Sequence, residues 1–383
     1  MRYLTGFAAA TVAVAFASGA IAGEVKLPKT MAWSAYGLKS SGYAHSVAIG
    51  KALKENYGIS LRVVPGKNDI ARLTPLKNGQ VQVTANGVGT YFAQEGVMVF
   101  GAPKWGPQPL RIILSSKGKA GLMVGVADDV GIKTLADLKG KRVAWVKSAP
   151  ALNHNVGAFL AFAGLSWDDV KKVEVGGFSA SWKAIQNDQA DAAFTITVSG
   201  APKAVAATPR GLAWPATPHN VKAGWDRMLA MAPYMTKNIV SVGTNVDKKN
   251  PIEGMAYPYP ILTVYAKESN DFAYSLAKGI SESYDSFKDG APGAKGWAMS
   301  NQTLEWAVPY HDGAVAYFKE IGKWTDAMQK HNDGLINRQN VMLVAWDAYS
   351  KAADKSDKDA YVKGWMRARK KALMAAGMDP IFN

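Results

Sequence analysis

The residues of this sequence best suited to chemistry form a short polar loop at positions 37–42, which reads Gly-Leu-Lys-Ser-Ser-Gly. An apolar run precedes the loop, and a helical pattern begins right after it at Tyr43. The free N–H groups of a helix start point outward, and the helix dipole favours negative charge there. The loop therefore predicts a small-anion site, with the hydroxyls of Ser40 and Ser41 and the backbone around Gly42 as donors. A purely structural turn is the alternative.

Nucleotide, metal and covalent chemistry find little support in the sequence. The glycine spacing of the loop matches a phosphate-binding loop, but Tyr43 and Ala44 stand where that motif needs Lys and Ser or Thr. Gly87 and Gly89 lack the third glycine of a dinucleotide motif, because Phe92 takes its place. The five His residues have no metal-ligand spacing, and neither a Cys nor a nucleophile elbow occurs. We therefore expect a non-enzymatic protein without a cofactor or a metal.

Strands and helices alternate along the chain in the pattern of a parallel sheet covered by helices on both faces. In the first unit, Asn86 follows the third strand, at the edge where open α/β sheets bind their ligands. A second unit repeats the plan from about Gly121, with a helix expected from about Asn153 to Ala163. Trp182 follows a polar loop of this unit. We expect it to line the ligand site, with a place in the core as the alternative.

The start of the chain and its composition indicate an exported protein. Residues 1–22 have the basic start, apolar stretch and small residues of a secretory signal cleaved after Ala22, with an anchoring helix as the alternative. The chain of 383 residues has no Cys, so it has neither disulfides nor a cysteine-linked lipid anchor. The periplasm of a Gram-negative cell is the expected location. The formal net charge of +15 suits anionic solutes, membranes or nucleic acid, and export argues against nucleic acid.

Several segments, taken in their order and spacing, are similar to those of one known family. They include Gly-Leu-Lys-Ser-Ser-Gly-Tyr at 37–43, Gly-Ile-Lys-Thr-Leu-Ala-Asp-Leu-Lys-Gly-Lys-Arg-Val at 131–143, and residues 73–83, 188–194 and 311–319. Together they resemble the TAXI receptors of TRAP transporters, which are periplasmic solute-binding proteins. The resemblance covers about residues 30–323, and the helices that follow lie beyond the usual family pattern.

The resemblance implies two α/β lobes joined by crossing strands, with the ligand in the cleft between them. It implies glutamate, glutamine or related carboxylates as solutes, and a sodium-driven membrane permease as the partner. By position, the family's binding residues fall on Ser40, Ser41, Gly42, Tyr43, Asn86, the loop from Ser148 to Asn153, and Thr195 to Thr197. Two departures occur. Lys39 interrupts the first loop, and the second loop reads Ser-Ala-Pro-Ala where the family has Gly-Ser-Gly-Thr.

The sequence thus predicts an α/β, type II-like periplasmic-binding-protein fold, in which each lobe is a mostly parallel sheet with helices on both faces. The expected divisions are a signal peptide at 1–22, a first lobe at 23–120 completed by about 243–323, a second lobe at 121–242, and a C-terminal helical extension at 324–383. The predicted function is capture of a small anionic carboxylate solute, such as an amino acid or dicarboxylate, and its delivery by a monomeric receptor to the permease subunits of a TRAP-type transporter. The predicted ligand-binding residues are Ser40, Ser41, Gly42, Tyr43, Asn86, Ser148, Asn153, Trp182, Thr195 and Thr197. An exported hydrolase or transferase and a solute sensor for a membrane kinase are the alternatives.

Overall fold

A computed structural model describes residues 24–382 of the protein. The predicted signal segment, residues 1–22, lies outside the described residues. Within residues 24–382, no helix combines the length and the apolar character that crossing a bilayer requires. The described chain forms two sheets with surrounding helices, a short two-stranded sheet, and a C-terminal pair of long helices.

The first lobe is built on a five-stranded sheet in the order β2-β1-β3-β11-β4. Strands β1, β2 and β3 run parallel, and β11 inserts antiparallel between β3 and β4. Helices α1, α2, α3, α8 and α10 contact these strands or each other. The strands are β1 (Thr30–Ala35), β2 (Ser60–Pro65), β3 (Val83–Asn86), β4 (Leu110–Ser115) and β11 (Ile261–Tyr265), and the helices are α1 (Ser41–Tyr57), α2 (Asp69–Lys77), α3 (Gly89–Glu95), α8 (Asn270–Glu282), α9 (Tyr284–Phe287) and α10 (Asp312–Glu320).

The second lobe is built on a four-stranded sheet in the order β5-β8-β6-β7, in which only β5 is antiparallel. Helices α4 and α5 both contact β6 and β8, while α7 packs on α4 and α6 packs on α5. The strands are β5 (Leu122–Val126), β6 (Arg142–Val146), β7 (Lys171–Val175) and β8 (Ala192–Ile196), with the separate antiparallel pair β9 (Thr236–Val240) and β10 (Ile252–Ala256), and the helices are α4 (Pro150–Phe162), α5 (Phe178–Gln186), α6 (Gly200–Ala206) and α7 (Lys222–Met231).

Two crossing segments, residues 116–121 and 257–260, connect the lobes. They hydrogen-bond to each other, because the Tyr259 N–H donates to the Ser116 carbonyl (2.6 Å) and the Ser116 N–H donates to the Pro260 carbonyl (2.9 Å). Helices α11 (Asp326–Ala352) and α12 (Lys358–Ala375) follow as an extension. The predicted α/β fold, with two mostly parallel sheets and a C-terminal helical extension, is confirmed. The exact limits of the domains stay a prediction.

Local sequence signals explain where the helices that face the cleft begin. Ser40 caps α1 by accepting from the Tyr43 N–H (3.2 Å), and Asn68 caps α2 by accepting from the Ala71 N–H (2.9 Å). Helix α4 begins at Pro150, three residues before the predicted start at Asn153. Proline is well suited to the first turn of a helix, since its missing N–H and fixed φ cost nothing there.

His45, on the buried side of α1, has both ring nitrogens engaged. Its Nε2 lies 2.9 Å from the Pro292 carbonyl, while its Nδ1 accepts from the indole N–H of Trp297 (3.1 Å). Burial lowers the pKa of His45 from 6.5 to about 4, against the hydrogen bond to Pro292, which raises it. A second proton on Nδ1 would remove the acceptor that Trp297 uses, so the folded state holds the ring neutral.

We expect His45→Gln to flatten the pH dependence of stability between pH 6.5 and 4. Since the folded pKa is the lower one, the unfolded chain binds the extra proton in this window and the stabilisation is lost as the pH falls. The slope owed to one such His is about 1.4 kcal/mol per pH unit. Urea unfolding of the wild type and the variant at pH 5, 6 and 7 measures it. Equal slopes for the two proteins would contradict a neutral buried His45.

Candidate functional site

A narrow cavity of ≈ 40 Å³, within ≈ 520 Å³ of empty space that includes open solvent, lies between the two lobes against the second crossing segment. Its wall is largely apolar and aromatic, and its charged members are Lys67, Asp69 and Arg72. Few convergent polar groups in an apolar cavity between domains are typical of small-molecule sites. The lining residues are Tyr36, Ser40, Lys67, Asn68, Asp69, Arg72 and Val88 from the first lobe, Leu122, Ala149, Ala151, Leu152, Asn155, Phe178, Phe194, Thr195 and Ile196 from the second, and Tyr257 and Tyr259 from the crossing.

Arg72 is the buried cation of this cavity. It lies one turn into α2 and is only 4% exposed. Its Nε donates to Oδ1 of Asn86 (3.0 Å), its Nη2 pairs with Oδ1 of Asp69, and its Cζ stands 3.8 Å from the centre of the Tyr36 ring. Stacking on a ring and a hydrogen bond at Nε fix the plane of the guanidinium. A fixed, water-shielded guanidinium is suited to a carboxylate or another planar anion.

Asp69 joins the first lobe to the second. One carboxylate oxygen pairs with Arg72, and the other accepts from the Ala151 N–H (3.0 Å) in the first turn of α4. Burial raises the pKa of Asp69, against the Arg72 charge and the Ala151 N–H, which lower it. A helix N-terminus favours an anion, so the protein's own carboxylate occupies the position that a solute anion could take on the second lobe.

Tyr259 takes the corresponding position at the start of α1. Its hydroxyl lies beside Ser41 and the Gly42 N–H. Burial raises the pKa of Tyr259 to about 12, and it outweighs Arg72, Ser41, Gly42 and Tyr36, which lower this pKa. The ring of Tyr259 stands 5.1 Å from that of Tyr36. Helix α1 thus begins at Ser41, two residues before the predicted start at Tyr43, and the neutral phenol of Tyr259 faces the N–H groups of its first turn.

A second set of neutral hydrogen bonds supports the crossing side of the cavity. The side-chain N–H₂ of Asn155 donates to the Tyr257 hydroxyl (2.7 Å), and the Tyr234 hydroxyl donates to Oδ1 of Asn155 (2.8 Å). Asn155 and Tyr257 line the cavity, so these bonds fix two of its polar atoms. Asn155 lies in α4 and Tyr257 in the crossing segment, which couples the second lobe to the hinge.

The structure brings part of the predicted site to the cavity. Ser40 and Thr195 line it directly. The Ser40 hydroxyl is engaged locally, since it donates to the Gly37 carbonyl (2.7 Å) while it caps α1. Asn86 is fully buried and holds Arg72 in place.

The other members of the first loop lie under the cavity wall. A Cβ on Gly42 would meet the Tyr36 ring at 2.4 Å, so this glycine is what lets Tyr36 sit against the start of α1. Ser41 is buried beside Tyr259, and Tyr43 is half-buried without lining the cavity.

The four remaining predicted residues, Ser148, Asn153, Trp182 and Thr197, also do not line the cavity. Ser148 is exposed and has a φ of 57°. Asn153 turns back to Val146, where its amide makes bonds of 2.8 and 2.9 Å to the main chain, because α4 begins before it. Trp182 is 1% exposed and packs 6.3 Å from Trp214 in the core of the second lobe, the alternative expected for an aromatic on a helix.

Thr197, the fourth of these residues, supports the crossing segments. Its hydroxyl donates to the Val242 carbonyl (2.7 Å) and accepts from the Gly121 N–H (3.1 Å). With both functions of its hydroxyl used, Thr197 holds the end of β8 to the hinge rather than a solute.

Sequence reasoning missed Asp69, Arg72, Tyr36 and the tyrosines of the crossing segment. One signal was available: Asp69 and Arg72 are spaced i, i+3 in the first turn of a helix that follows a parallel strand. Tyr257 and Tyr259 have no comparable local signal, because the second crossing segment brings them to the cavity from more than 150 positions after Arg72 in the sequence.

Four hydrogen bonds join the lobes along the rim of the cavity. Two involve side chains: the Asp69–Ala151 bond, and one from the Asn68 amide to the Lys147 carbonyl (3.4 Å). Two link main chains, from the Phe178 N–H to the Lys67 carbonyl (3.4 Å) and from the Gly200 N–H to the Lys39 carbonyl (3.2 Å). The described structure is therefore a closed form of the two-lobed protein.

Comparison with known proteins places this fold and cavity in a family. The model of the NMT1-like family matches residues 39–322, about three quarters of the chain, from the first loop through α10. The chain belongs to the NMT1-like family. The match includes every lining residue of the cavity except Tyr36. The long helices α11 and α12 lie beyond the family segment.

Solved structures with a similar arrangement share little sequence with this member of the family. The periplasmic aliphatic sulphonate binding protein SsuA from Escherichia coli is 17% identical, with 92% of this chain and 89% of that chain covered and a TM-score of 0.43. The alkanesulfonate-binding protein SsuA from Xanthomonas axonopodis pv. citri bound to MOPS is 14% identical (87% and 98% covered, TM-score 0.43). An ancestral arginine-binding protein bound to arginine is 14% identical (69% and 98% covered, TM-score 0.42). No curated protein matches the sequence.

Proposed function

We propose that this protein is a periplasmic solute-binding receptor that captures a small carboxylate in the interlobe cavity. The observation that carries the proposal is the buried, oriented guanidinium of Arg72 on the cavity wall. A carboxylate is the planar anion that such a group binds best among common metabolites. The aromatic walls from Tyr36, Tyr257 and Phe194 would cover the rest of the solute.

The charges of the cavity favour a solute with one net negative charge. Lys67 and Arg72 are the cations of the lining, and Asp69 is its carboxylate. Since Asp69 pairs with Arg72, the remaining positive charge is that of Lys67, an exposed side chain at the cavity wall that attracts an anion. Glutamate and simple monocarboxylates carry one net negative charge at neutral pH. A dicarboxylate would leave one negative charge in the closed cavity without a cation.

The proposed role is capture without chemistry. No His lines the cavity among the described residues, and the hydroxyl of Ser40 donates to a carbonyl rather than to a base. A nucleophile needs a neighbouring base or a metal, so this wall suits binding. Closing of the two lobes would present the loaded form to a membrane permease, which the resemblance to TAXI receptors suggests is of the TRAP type, with the receptor acting as a monomer.

We expect Gly42→Ala to weaken solute binding strongly while Gly37→Ala leaves it unchanged. The added methyl at Gly42 displaces the Tyr36 ring and with it the face on which Arg72 stacks. Gly37 belongs to the same loop, and a Cβ there would have as its nearest atom Ser179 Oγ of α5 at 3.7 Å, an ordinary contact. Thermal unfolding with amino acids, monocarboxylates and dicarboxylates measures binding, since a solute at 100 Kd stabilises by about 2.7 kcal/mol.

The screen decides the proposal in two ways. A carboxylate that raises the Tm of the wild type and of Gly37→Ala, but not of Gly42→Ala, supports it. Stabilisation only by neutral or cationic solutes would refute the carboxylate assignment. Stabilisation of all three proteins by the same carboxylate would move the solute away from the Tyr36 and Arg72 wall.

A further inference from the structure

A second interlobe opening lies next to the cavity. It is a groove of ≈ 910 Å³, bordered by the first crossing segment, by residues 288–303 of the first lobe, and by Val198 and Val242. Ile196 and Tyr259 line both the groove and the cavity, so these two side chains form the partition between them. The rim hydrogen bonds described above do not close this side.

Lysines dominate the charge of this groove. Lys117, Lys119, Lys288 and Lys295 line it, and Asp289 is its one acidic lining residue among those described. Lys288 pairs with Asp285 at 2.5 Å, and Lys295 pairs with Asp289 at 3.1 Å.

Lys117 and Lys119 differ from the other two lysines, since neither makes an ion pair within residues 24–382. Lys117 is half-buried, and burial lowers the pKa of its ammonium group. Two cations without partners on a concave surface, with low-dielectric walls, concentrate anions from solution. Both stand on the first crossing segment and line the same groove as the two residues of the partition, Ile196 and Tyr259.

We propose that this lysine-lined groove is an encounter site for small anions and the entrance through which they reach the cavity. The inference rests on the proposed function, because it assigns a route to the same anionic solute. Lys117 and Lys119 attract the anion, and movement of the Tyr259 and Ile196 side chains admits it to Arg72. The lysines then act on the rate of association and leave the contacts of the bound solute unchanged.

The absence of Cys from the chain allows a direct test that needs no knowledge of the natural solute. Thr195→Cys places the single thiol of the protein on the cavity wall, next to Ile196. Its rate of modification is measured with anionic 2-sulfonatoethyl methanethiosulfonate and with neutral methyl methanethiosulfonate. In each reaction the thiolate forms a disulfide with the reagent, and methanesulfinate leaves.

Two matched pairs of substitutions in the Thr195→Cys protein locate the entrance. Lys117→Gln with Lys119→Gln should slow the anionic reagent about three- to tenfold at low ionic strength, and leave the neutral reagent unchanged. Salt at 0.5 M should remove most of the difference between the two proteins. Lys39→Gln with Lys203→Gln removes the same charge from the opening beside the Lys39–Gly200 bond, and should leave both rates unchanged.

Every other outcome contradicts the assignment of this groove as the entrance to the cavity. Slowing by the Lys39 and Lys203 pair alone would place the entrance at that opening, and equal slowing by both pairs would indicate a diffuse field. A thiol that the neutral reagent does not reach would show that the cavity is closed to this groove. These results do not depend on the solute screen. The proposed entrance can therefore be refuted while the carboxylate-binding function is supported, and the function can be refuted while the entrance is supported.

Discussion

Replacing Arg72 with Gln is expected to lower the free energy of unfolding by about 3–5 kcal/mol and to abolish carboxylate binding. The guanidinium compensates the buried carboxylate of Asp69, and both side chains are almost inaccessible to water. Removing the cation leaves that carboxylate with only the Ala151 N–H, far less than a charge of this burial requires. Urea denaturation measures the loss of stability, and titration calorimetry with the carboxylates identified by thermal shift measures binding.

The double substitution Asp69→Asn with Arg72→Gln separates the two effects. It removes both charges, so we expect most of the lost stability to return while carboxylate binding stays absent. A single Arg72→Gln variant that loses less than about 1 kcal/mol would mean that Asp69 is protonated in the folded protein, since burial raises its pKa. Recovery of binding in the double variant would remove Arg72 from the solute site.

The second large effect is expected at Glu95, where Glu95→Gln should cost about 3–5 kcal/mol and loosen the C-terminal helices. Glu95 ends α3 and is fully buried. Both oxygens accept from Arg338 of α11 (2.8 Å each), and Oε2 also pairs with Arg369 of α12. Burial lowers the pKa of Arg369, and the Glu95 charge acts against this shift. The neutral amide leaves two buried guanidinium groups without an anion.

Hydrogen exchange distinguishes local loosening from global unfolding in the Glu95→Gln protein. We expect α11 and α12 to lose protection while β1 and β3 keep theirs, because Arg338 and Arg369 also hold the carbonyls of Asp379 and Pro380. Asp226→Asn is a matched control, since it breaks the exposed Lys222–Asp226 pair (2.7 Å) and should change stability by less than 1 kcal/mol. Equal effects of the two substitutions would contradict a stabilising role for the buried triad.

The elements of this fold could be predicted from the sequence because their signals are local. Ser40 and Asn68 have the side chains that cap helices, and the apolar run at 122–126 predicts a strand with the bounds that β5 has in the structure. The start of α4 was missed because Pro150 reads equally as a loop residue or as the first residue of a helix.

The candidate site depends on contacts that leave no local trace. A single Arg in a helix is usually exposed, so nothing in the pattern around Arg72 indicates that Asn86 and Tyr36 enclose it. The bond from Asp69 to Ala151 joins residues 82 positions apart on different lobes. The sequence predicts a solute-binding loop from Ser148 to Asn153. In the structure, helix α4 begins within this segment, and its Ala151 N–H already binds the carboxylate of Asp69.

The rim of the cavity has a further consequence for how this receptor could diversify. Two of its closing bonds use only main-chain atoms, so no substitution other than proline at Phe178 or Gly200 removes their donors or acceptors. The side chains of Val88, Leu152 and Phe194 face the cavity and take no part in the rim bonds. A change of solute therefore requires new side chains in the cavity lining, while the hydrogen bonds between the lobes can stay the same. We expect a library randomised at these three positions to keep the rim bonds, which makes the scaffold a good starting point for sensors of other small solutes.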